Sequence, residues 1–175
     1  MRLVKYAVAM SLDGYIAGPG GEYDWIVTDP DVDFSQMMTE FDTFLIGRKT
    51  FEAMRQMGSD GKPAPGTQNI LISRTLRPAD YPHLVVTDDA ERFVAELRTK
   101  PGKDIALFGG GELFRSLLGV GLVDRVEVSV MPVLLGAGIP LLPSPASRVK
   151  LKLRKHRLYE KTGTIGIEYD IVRSD

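Results

Sequence analysis

Three short segments at the ends of predicted strands carry residue types suited to binding phosphate. The first is Ile46-Gly47-Arg48-Lys49-Thr50. A helix that begins there offers free backbone N–H groups and a partial positive charge, while the arginine, lysine and threonine add charge and a hydroxyl group. For this segment alone, a helix that merely starts with a glycine and a capping threonine is the alternative interpretation.

The second segment is Leu107-Phe108-Gly109-Gly110-Gly111-Glu112-Leu113. Three consecutive glycines let the backbone approach a ligand closely and reach backbone angles that are closed to other residues. Because these glycines lose more chain entropy on folding than a tight turn requires, the pattern favours a ligand over a simple turn.

The third segment, Ile72-Ser73-Arg74-Thr75, could hold a ribose phosphate through its serine and arginine, although a solvated arginine explains it equally well. Ligands of open α/β sheets lie beyond the carboxyl ends of the strands, so the three segments could line one groove. The P-loop and the dinucleotide-binding glycine fingerprint are both absent from the sequence.

The composition excludes several other kinds of chemistry. The 175 residues include no cysteine and only two histidines, which rules out disulfides and thiolate zinc sites and disfavours histidine metal sites and serine triads. We expect one domain over residues 1–175, in the cytoplasm and without a membrane span, because no transmembrane-length apolar run or signal-peptide core is present. Lys150–Arg157 is typical of a strand with a solvated basic face, and with a net charge of −1 it predicts no nucleic-acid partner.

Periodicity and turn residues predict the elements that position these segments. Strands are predicted over apolar runs at Leu3–Met10, Thr43–Ile46, Asn69–Ser73, Leu84–Thr87 and Asp104–Phe108. Helices are predicted at Asp33–Phe41, from Gly47 to about Met57, after an Asp88 cap with Glu91 in a capping box, and after Gly109–Gly111. Alternating strands then follow, with a hairpin turn at Glu160–Gly163. Such an order predicts one mixed sheet with helices on both faces.

The ordered segments resemble the landmarks of the dihydrofolate reductase superfamily. These landmarks are Met10–Ala17, Trp25, Gly47–Thr50, Ser73-Arg74 and Phe108–Gly111. Two further stretches, Gly121–Arg125 and Pro132–Gly138, resemble the reductase domain of the bifunctional riboflavin deaminase–reductase. The similarity runs from about Leu3 to Leu142.

This resemblance implies a fold and an activity. The implied fold is the three-layer dihydrofolate reductase-like α/β fold, with a central mixed, mostly parallel sheet of about eight strands, helices on both faces and a C-terminal antiparallel hairpin. The implied activity is NADPH-dependent hydride transfer to a small heterocyclic substrate, as in 5-amino-6-(5-phosphoribosylamino)uracil reductase. Dihydrofolate reductase activity and a non-catalytic NADPH-binding module are the alternatives. The resemblance also implies a homodimer in which late strands pair the subunits. The apolar stretch Leu134–Leu142 could lie at such an interface or could equally pack inside one subunit.

The resemblance assigns cofactor roles by position. Val8, Ala9 and Ile16 would flank the nicotinamide ring. Gly47, Arg48, Lys49 and Thr50 would bind the cofactor phosphates, while Ser73 and Arg74 would receive the 2′-phosphate that distinguishes NADPH from NADH. Gly109, Gly110, Gly111, Glu112 and Leu113 would surround the pyrophosphate, with a cis peptide bond at Gly109–Gly110.

The catalytic and substrate residues are less directly implied. Asp13 lies in a Ser-Leu-Asp-Gly motif and could be an acid or hold a turn. Asp31 and Asp33 are the candidates for the carboxylate that follows Trp25, and either could equally cap a helix. The riboflavin-pathway reductases tend to carry glutamate where Phe108 stands, so the substrate is left open as a pterin-like or pyrimidine-like heterocycle.

Overall fold

The central sheet contains eight strands in the computed structural model, which describes residues 1–173. The strands are β1 (Val4–Ser11), β2 (Tyr15–Ala17), β3 (Phe41–Gly47), β4 (Gln68–Ile72), β5 (Val85–Thr87), β6 (Asp104–Gly109), β7 (Arg125–Met131), β8 (Ile139–Pro140), β9 (Lys150–Tyr159) and β10 (Thr164–Val172). The helices are α1 (Phe34–Met38), α2 (Arg48–Gln56), α3 (Ala90–Thr99) and α4 (Gly111–Gly119), with a 3₁₀ turn at Pro78–Asp80.

The strand order across the sheet is β5-β4-β3-β6-β1-β7-β10-β9, while β2 and β8 pair separately. Pairing is parallel from β5 to β7, and β10 runs antiparallel to both β7 and β9. The predicted mixed, mostly parallel sheet with a C-terminal antiparallel hairpin is therefore confirmed. Because β3, β4 and β6 are parallel, their carboxyl ends lie at one edge of the sheet. This is the arrangement in which the three predicted phosphate-binding segments could line one groove.

Two apolar clusters hold the helices against opposite faces of the sheet. On one face Val4, Tyr6 and Leu107 pack beneath α3 and α4. On the other face Phe51 of α2 packs on Ile46. Consecutive strand residues point to opposite faces, so the apolar strands β3 and β6 can contact helices on both sides.

The helix predicted at Asp33–Phe41 is wrong in its extent and in its buried face. Only Phe34–Met38 is helical, and Phe41 begins β3, where it pairs with Asp104 and is buried. The helix-spaced side chains of Phe34, Met37 and Met38 are exposed by 51%, 38% and 39%. Phe41 lies in the sheet because it pairs with β6. The remaining helix, Phe34–Met38, is little more than one turn long and is too short to bury an apolar face.

The predicted capping box at Asp88 is also wrong, by one residue. Asp89 is the N-cap of α3, and its carboxylate accepts a hydrogen bond from the backbone N–H of Arg92. The helix begins at Ala90, which is buried in the main core. A helix that begins at Ala90 buries this side chain in the core. Glu91 is then the second helical residue, whereas a capping box requires the acidic side chain at the third.

The C-terminal hairpin agrees with the sequence expectation. β9 and β10 pair from Lys150 with Val172 to Tyr159 with Thr164. Gly163 in the connecting turn has φ +72°, a left-handed conformation that glycine adopts without a steric cost. Within residues 1–173, no helix has the length and apolar character needed to cross a membrane.

Candidate functional site

The two glycine-bearing turns touch each other at the carboxyl edge of the sheet. β3 and β6 are parallel neighbours, with Ile46 paired to Gly109. A Cβ atom added to Gly47 would lie 3.1 Å from the carbonyl oxygen of Gly109 and 3.3 Å from the nitrogen of Gly110. Any side chain at position 47 would have to push the second turn away, so the close approach itself requires glycine there.

Thr50, in the first turn of α2, lies against both Gly109 and Gly110. A Cβ atom on Gly109 would lie 3.1 Å from Thr50 Oγ1, and one on Gly110 would lie 3.3 Å from the same oxygen. Gly109 has φ +140°, and the peptide bond between Gly109 and Gly110 is cis, as the resemblance implies. We call the surface formed by Gly47, Thr50, Gly109 and Gly110 the glycine cradle.

Two helix N-termini converge on the glycine cradle. α2 follows Gly47 and α4 follows Gly110, and neither N-cap residue makes a side-chain capping hydrogen bond. The first-turn N–H groups of both helices therefore lack side-chain acceptors and lie at the positive ends of two helix dipoles. Such an arrangement fits an anionic group that accepts several hydrogen bonds, and a pyrophosphate is one.

Cationic side chains accompany the first of these helices. Arg48 is exposed and lies 3.4 Å from Glu52 of the same helix, while Lys49 is exposed and forms no ion pair with any residue in 1–173. Surface pairs of this kind are weak, so Arg48 can exchange Glu52 for another anion. Both predicted phosphate contacts therefore lie beside the cradle with their charges accessible.

The third predicted segment lies next to the cradle. Ile72, the last residue of β4, pairs with Gly47. Ser73 is buried, and its Oγ accepts hydrogen bonds from the backbone N–H groups of Thr75 at 3.2 Å and Leu76 at 3.1 Å. The Ser73 side chain thus supports the turn, whereas Arg74 is exposed and has no ion-pair partner among the residues that the structure describes.

The residues predicted to flank the nicotinamide lie on β1 and β2. Val8 pairs with Val128 of β7 and packs against the main core, while Ala9 follows on the opposite face of the sheet. Ile16 is half-buried in β2. Their contact with a nicotinamide ring stays a prediction.

The first residues of α4, Gly111 to Leu113, could contact a cofactor mainly through their backbone. A Cβ atom on Gly111 would lie 3.0 Å from both the carbonyl oxygen of Pro140 and Cδ of Pro143, so the end of β8 and the residues after it pack directly on the start of the helix. Glu112 pairs with Arg115 at 2.8 Å, and Leu113 is buried in the core. The predicted pyrophosphate contacts at these positions would therefore be backbone N–H groups.

Asp13 connects two loops. Its carboxylate accepts hydrogen bonds from Ser11 Oγ at 2.6 Å, from the Gly136 N–H at 2.7 Å and from the Leu135 N–H at 3.1 Å. The hydrogen bond from Ser11 is the largest cause of a lowered pKa of Asp13, and the two backbone donors add to it. A lowered pKa keeps the carboxylate ionised at neutral pH, and these contacts match the turn-holding alternative, so the acid role stays a prediction.

Asp33 and Asp31 are both engaged in structural contacts. Asp33 is the N-cap of α1, accepting from the Gln36 N–H at 2.9 Å and from Ser35 Oγ at 2.6 Å, and the Ser35 hydrogen bond is the main cause of its lowered pKa. Asp31 forms an ion pair with Lys161 of the hairpin turn at 2.8 Å. These contacts match the capping alternative for Asp33, while the predicted catalytic and substrate roles stay predictions.

The loop before α1 contains a buried carboxylate that sequence reasoning missed. Asp29 is 2% exposed and accepts hydrogen bonds from the Asp31 N–H and from Thr162 Oγ1, both at 2.9 Å. Trp25 lies half-buried earlier in the same loop, with its indole N–H donating to the Glu22 carbonyl. Only the polar character of Asp29 in a loop was visible in the sequence, and that pattern is common in turns.

Comparison with solved structures identifies the fold. Dihydrofolate reductase from Enterococcus faecalis complexed with NADP(H) matches with a TM-score of 0.70 at 16% identity, covering 98% of this chain and 97% of that one. A Thermotoga maritima diaminohydroxyphosphoribosylaminopyrimidine deaminase/5-amino-6-(5-phosphoribosylamino)uracil reductase matches with a TM-score of 0.72 at 17% identity, covering 98% of this chain and 57% of that one. These likenesses show that the fold is dihydrofolate reductase-like.

More similar proteins identify the family. A Shewanella sp. PV-4 protein, described as a riboflavin biosynthesis protein, has a TM-score of 0.81 at 25% identity over 98% of this chain and 99% of that one. The protein YyaP of Bacillus subtilis strain 168 is 35% identical over 179 residues, which covers 96% of this chain and 94% of that protein. The model of the RibD C-terminal domain matches residues 2–164. This chain therefore belongs to the RibD C-terminal domain family.

Proposed function

We propose that this protein is an NADPH-dependent reductase that transfers hydride to a small heterocyclic substrate. The observation that carries the proposal is the glycine cradle, in which the N-termini of α2 and α4 meet without side-chain caps. Membership of the RibD C-terminal domain family and the likeness of the fold to an NADP(H)-binding dihydrofolate reductase support the same function.

The residues present fit a phosphorylated dinucleotide. The glycine cradle offers uncapped N–H groups to a pyrophosphate, and glycine at position 47 allows the turn at Gly109 and Gly110 to approach closely enough to form it. Arg74, next to the cradle and without an ion pair among residues 1–173, supplies a cation for a 2′-phosphate. The bound cofactor would supply the hydride, while the protein orients it and excludes water.

The riboflavin-pathway type of reduction ranks above dihydrofolate reduction. The family model is that of the RibD C-terminal domain, and the Shewanella protein described as a riboflavin biosynthesis protein is 25% identical to this chain, whereas the dihydrofolate reductase is 16% identical. The proposed substrate is accordingly a small heterocycle with a reducible C=N or C=O bond.

The cofactor proposal is tested by comparing NADPH with NADH in isothermal titration calorimetry. We expect NADPH to bind more tightly, because only NADPH carries the 2′-phosphate. Arg74→Ala should weaken NADPH binding about tenfold or more and leave NADH binding unchanged, since a charge-assisted phosphate contact contributes roughly 1.5–3 kcal/mol.

Arg77→Ala is the matched control, since Arg77 is also an exposed arginine of the same loop but pairs with Asp80. It should leave both cofactor affinities unchanged. Equal affinity of the wild-type protein for NADPH and NADH would contradict the assignment of the 2′-phosphate site, and binding of neither would contradict the reductase proposal as a whole.

A non-catalytic NADPH-binding module is the second candidate, and one observation favours it. The two aspartates predicted to be catalytic, Asp13 and Asp33, have lowered pKa values and are held by structural hydrogen bonds. A general acid works best with a pKa near the working pH. Tight NADPH binding without oxidation of NADPH across a broad panel of heterocycles would support the module.

We also propose that two copies of this chain form a homodimer through the C-terminal hairpin. β9 is the last strand of the sheet and is exposed along its length, with Leu151, Leu153 and Leu158 exposed by 46%, 51% and 57%. A long edge strand with exposed apolar side chains invites pairing with another chain. In the other predicted interface stretch, Leu134 is 68% exposed, but Leu142 packs against the core.

A further inference from the structure

A small apolar cavity borders the glycine cradle on the face of the sheet that carries α2. Its volume is about 180 Å³, and its lining includes Phe44, Ile46, Met54 and Phe108. Ile46 immediately precedes Gly47, and Phe108 immediately precedes Gly109. A ring in this cavity would therefore lie directly beside a cofactor held by the cradle.

Phe108 is unusual among the residues of its strand. Ile105, Ala106 and Leu107 of β6 are buried, whereas the Phe108 ring is 47% exposed although β6 lies between two other strands. Phe108 lies near the carboxyl end of β6, at an irregularity where the pairing with β3 passes from Leu107 to Gly109, and its exposed side chain lacks the free energy that burial would provide. A flat ligand stacked on the exposed ring would recover that free energy.

The polar groups of the cavity are few and neutral. Thr67 donates its hydroxyl hydrogen to the Ala64 carbonyl, and Asn69 donates through its side-chain nitrogen to the Gly61 carbonyl. The Asn69 amide oxygen stays available as an acceptor. None of the described residues that line the cavity carries a charge, so a phosphate placed there would be desolvated without a counter-charge.

The size of the cavity limits the ligand further. Pockets for drug-sized ligands usually measure about 300–1,000 Å³, and the volume here is about 180 Å³. The cavity therefore accommodates one ring system rather than a ring with a sugar phosphate.

Apolar side chains continue from the cavity towards the loop after β2. Tyr23 and Met57 are exposed by 52% and 56%, and the Tyr23 hydroxyl contacts Met57 Sδ at the C-terminal end of α2. Met54, one helical turn earlier, lines the cavity. On this side the surface thus adds an aromatic and a thioether group to the cavity.

We propose that this cavity binds an uncharged, planar heterocycle stacked on Phe108, and that it discriminates against rings that carry a phosphate. This inference rests on the proposed function, because it names the substrate class of the same site. Phe108 is the specificity-determining residue: its ring supplies the stacking surface, and the absence of a charge in the described lining disfavours an ionic substituent.

The test uses 6-methylpterin as an uncharged ring, with binding followed by pterin fluorescence in the presence and absence of NADPH. The wild-type protein should bind it, and Phe108→Ala should bind about tenfold or more weakly, because stacking of a base on an aromatic side chain is typically lost to that extent on alanine substitution. Phe108→Tyr keeps the ring and should retain the affinity. Val120→Ala removes an exposed apolar side chain at the end of α4 and should change nothing.

The charge requirement is tested with neopterin and neopterin monophosphate, which share one ring system, on protein saturated with NADPH. Neopterin should bind at least about tenfold more tightly, since the phosphate meets no cation in the cavity. Tighter binding of the phosphate form, or equal binding of 6-methylpterin to wild type and Phe108→Ala, would overturn the inference. Failure to bind NADPH would instead overturn the proposed function, while the Phe108-dependence of pterin binding is still measured without the cofactor.

Discussion

Tyr6 places a hydroxyl group in the apolar core. The residue is fully buried, and its ring stacks on Phe114 with 4.1 Å between ring centroids. Its hydroxyl forms no hydrogen bond with any residue in 1–173, and burial alone raises the pKa of the phenol well above its ordinary value. A buried hydroxyl group without a hydrogen-bond partner loses its hydration and gains no bond in return. The hydroxyl group of Tyr6 therefore offsets part of the stability that the buried ring provides.

We therefore expect Tyr6→Phe to stabilise the protein by about 1–2 kcal/mol, because the ring packing remains and the desolvated hydroxyl is removed. The free energy of unfolding, measured by urea denaturation, gives the result. Tyr81→Phe is the control, since the Tyr81 hydroxyl accepts a hydrogen bond from Arg55 and its removal should bring no gain. A loss of stability in Tyr6→Phe would show that the hydroxyl has a partner after all.

Glu127 gives the folding stability a dependence on pH. Burial is the largest cause of the raised pKa of Glu127, and Glu168 and Glu40 raise it further against the opposing effect of Lys5 and Arg125. The folded protein therefore holds this proton to higher pH than the unfolded chain does. The stability contributed by this proton is complete below the ordinary glutamate pKa and is lost as the pH rises through the raised value.

Glu127→Gln should remove that part of the pH dependence, because glutamine does not titrate. The variant should be more stable than the wild-type protein above the raised pKa, and the difference should shrink as the pH falls towards the ordinary glutamate pKa. Melting temperatures measured between about pH 4 and pH 8 give the comparison. Parallel curves for the two proteins across this range would rule out Glu127 as the source.

At the scale of elements, Asp124 joins α3 to the first strand and to β7. Its carboxylate accepts hydrogen bonds from Arg98 Nη2 at 2.8 Å, from the Val4 N–H at 2.8 Å and from Arg173 Nη2 at 2.6 Å. Arg98 is 6% exposed, so its positive charge is compensated by Asp124 rather than by water. Removing one partner of a buried ion pair leaves the other charge uncompensated.

Asp124→Ala should therefore destabilise the protein by about 3–5 kcal/mol, as measured by chemical denaturation. Asp124→Asn keeps the acceptor for the Val4 N–H and should be affected less. Asp170→Ala serves as the comparison, because Asp170 is 42% exposed and its buried partner Arg125 also pairs with Glu127, so its pairs with Arg125 and Arg154 should contribute less than about 1 kcal/mol. Similar losses for Asp124→Ala and Asp170→Ala would contradict this account.

Elements that depend on local sequence were predicted well, and those that depend on distant partners were not. The apolar runs of β1 and β6 and the glycines that open α2 and α4 were visible because composition and turn residues determine them locally. α1 was predicted too long, because pairing of Phe41 with β6 is a contact between distant segments.

The same distinction applies to the candidate site. The glycine cradle was predicted from two short segments, since parallel strands bring their carboxyl ends to one edge. The contact between Asp29 and Thr162 joins residues 133 positions apart, so no local sequence pattern predicts it. Tyr23 and Met57 likewise meet only because the fold brings a loop to the end of α2.

At the scale of the whole molecule, the exposed hairpin predicts association. The apolar side chains of β9 pair with Ile165, Tyr169 and Ile171 of β10, and Ile171 packs against the main core. The exposed leucines therefore lie on the same face of the sheet as the main core, at the edge strand that the helices do not cover. A second copy would cover them and leave the opposite, basic face of β9 in solvent.

We expect the wild-type protein to show a dimer mass by light scattering coupled to size exclusion. The double variant Leu153→Glu/Leu158→Glu should be monomeric, since two charges would be buried in the interface. Lys152→Ala/Arg157→Ala changes the other face of the same strand and should remain dimeric. A monomer mass for the wild-type protein would contradict the hairpin interface.

The meeting of two uncapped helix ends also bears on how this protein should be handled. Small dianions such as sulfate or inorganic phosphate fit the same converging N–H groups. We therefore expect these ions in a buffer or precipitant to compete with the cofactor. Titrations in phosphate buffer should give a weaker apparent affinity for NADPH than titrations in a zwitterionic buffer of equal ionic strength. Crystallisation from sulfate should correspondingly hinder cofactor soaking, whereas polyethylene glycol conditions should permit it.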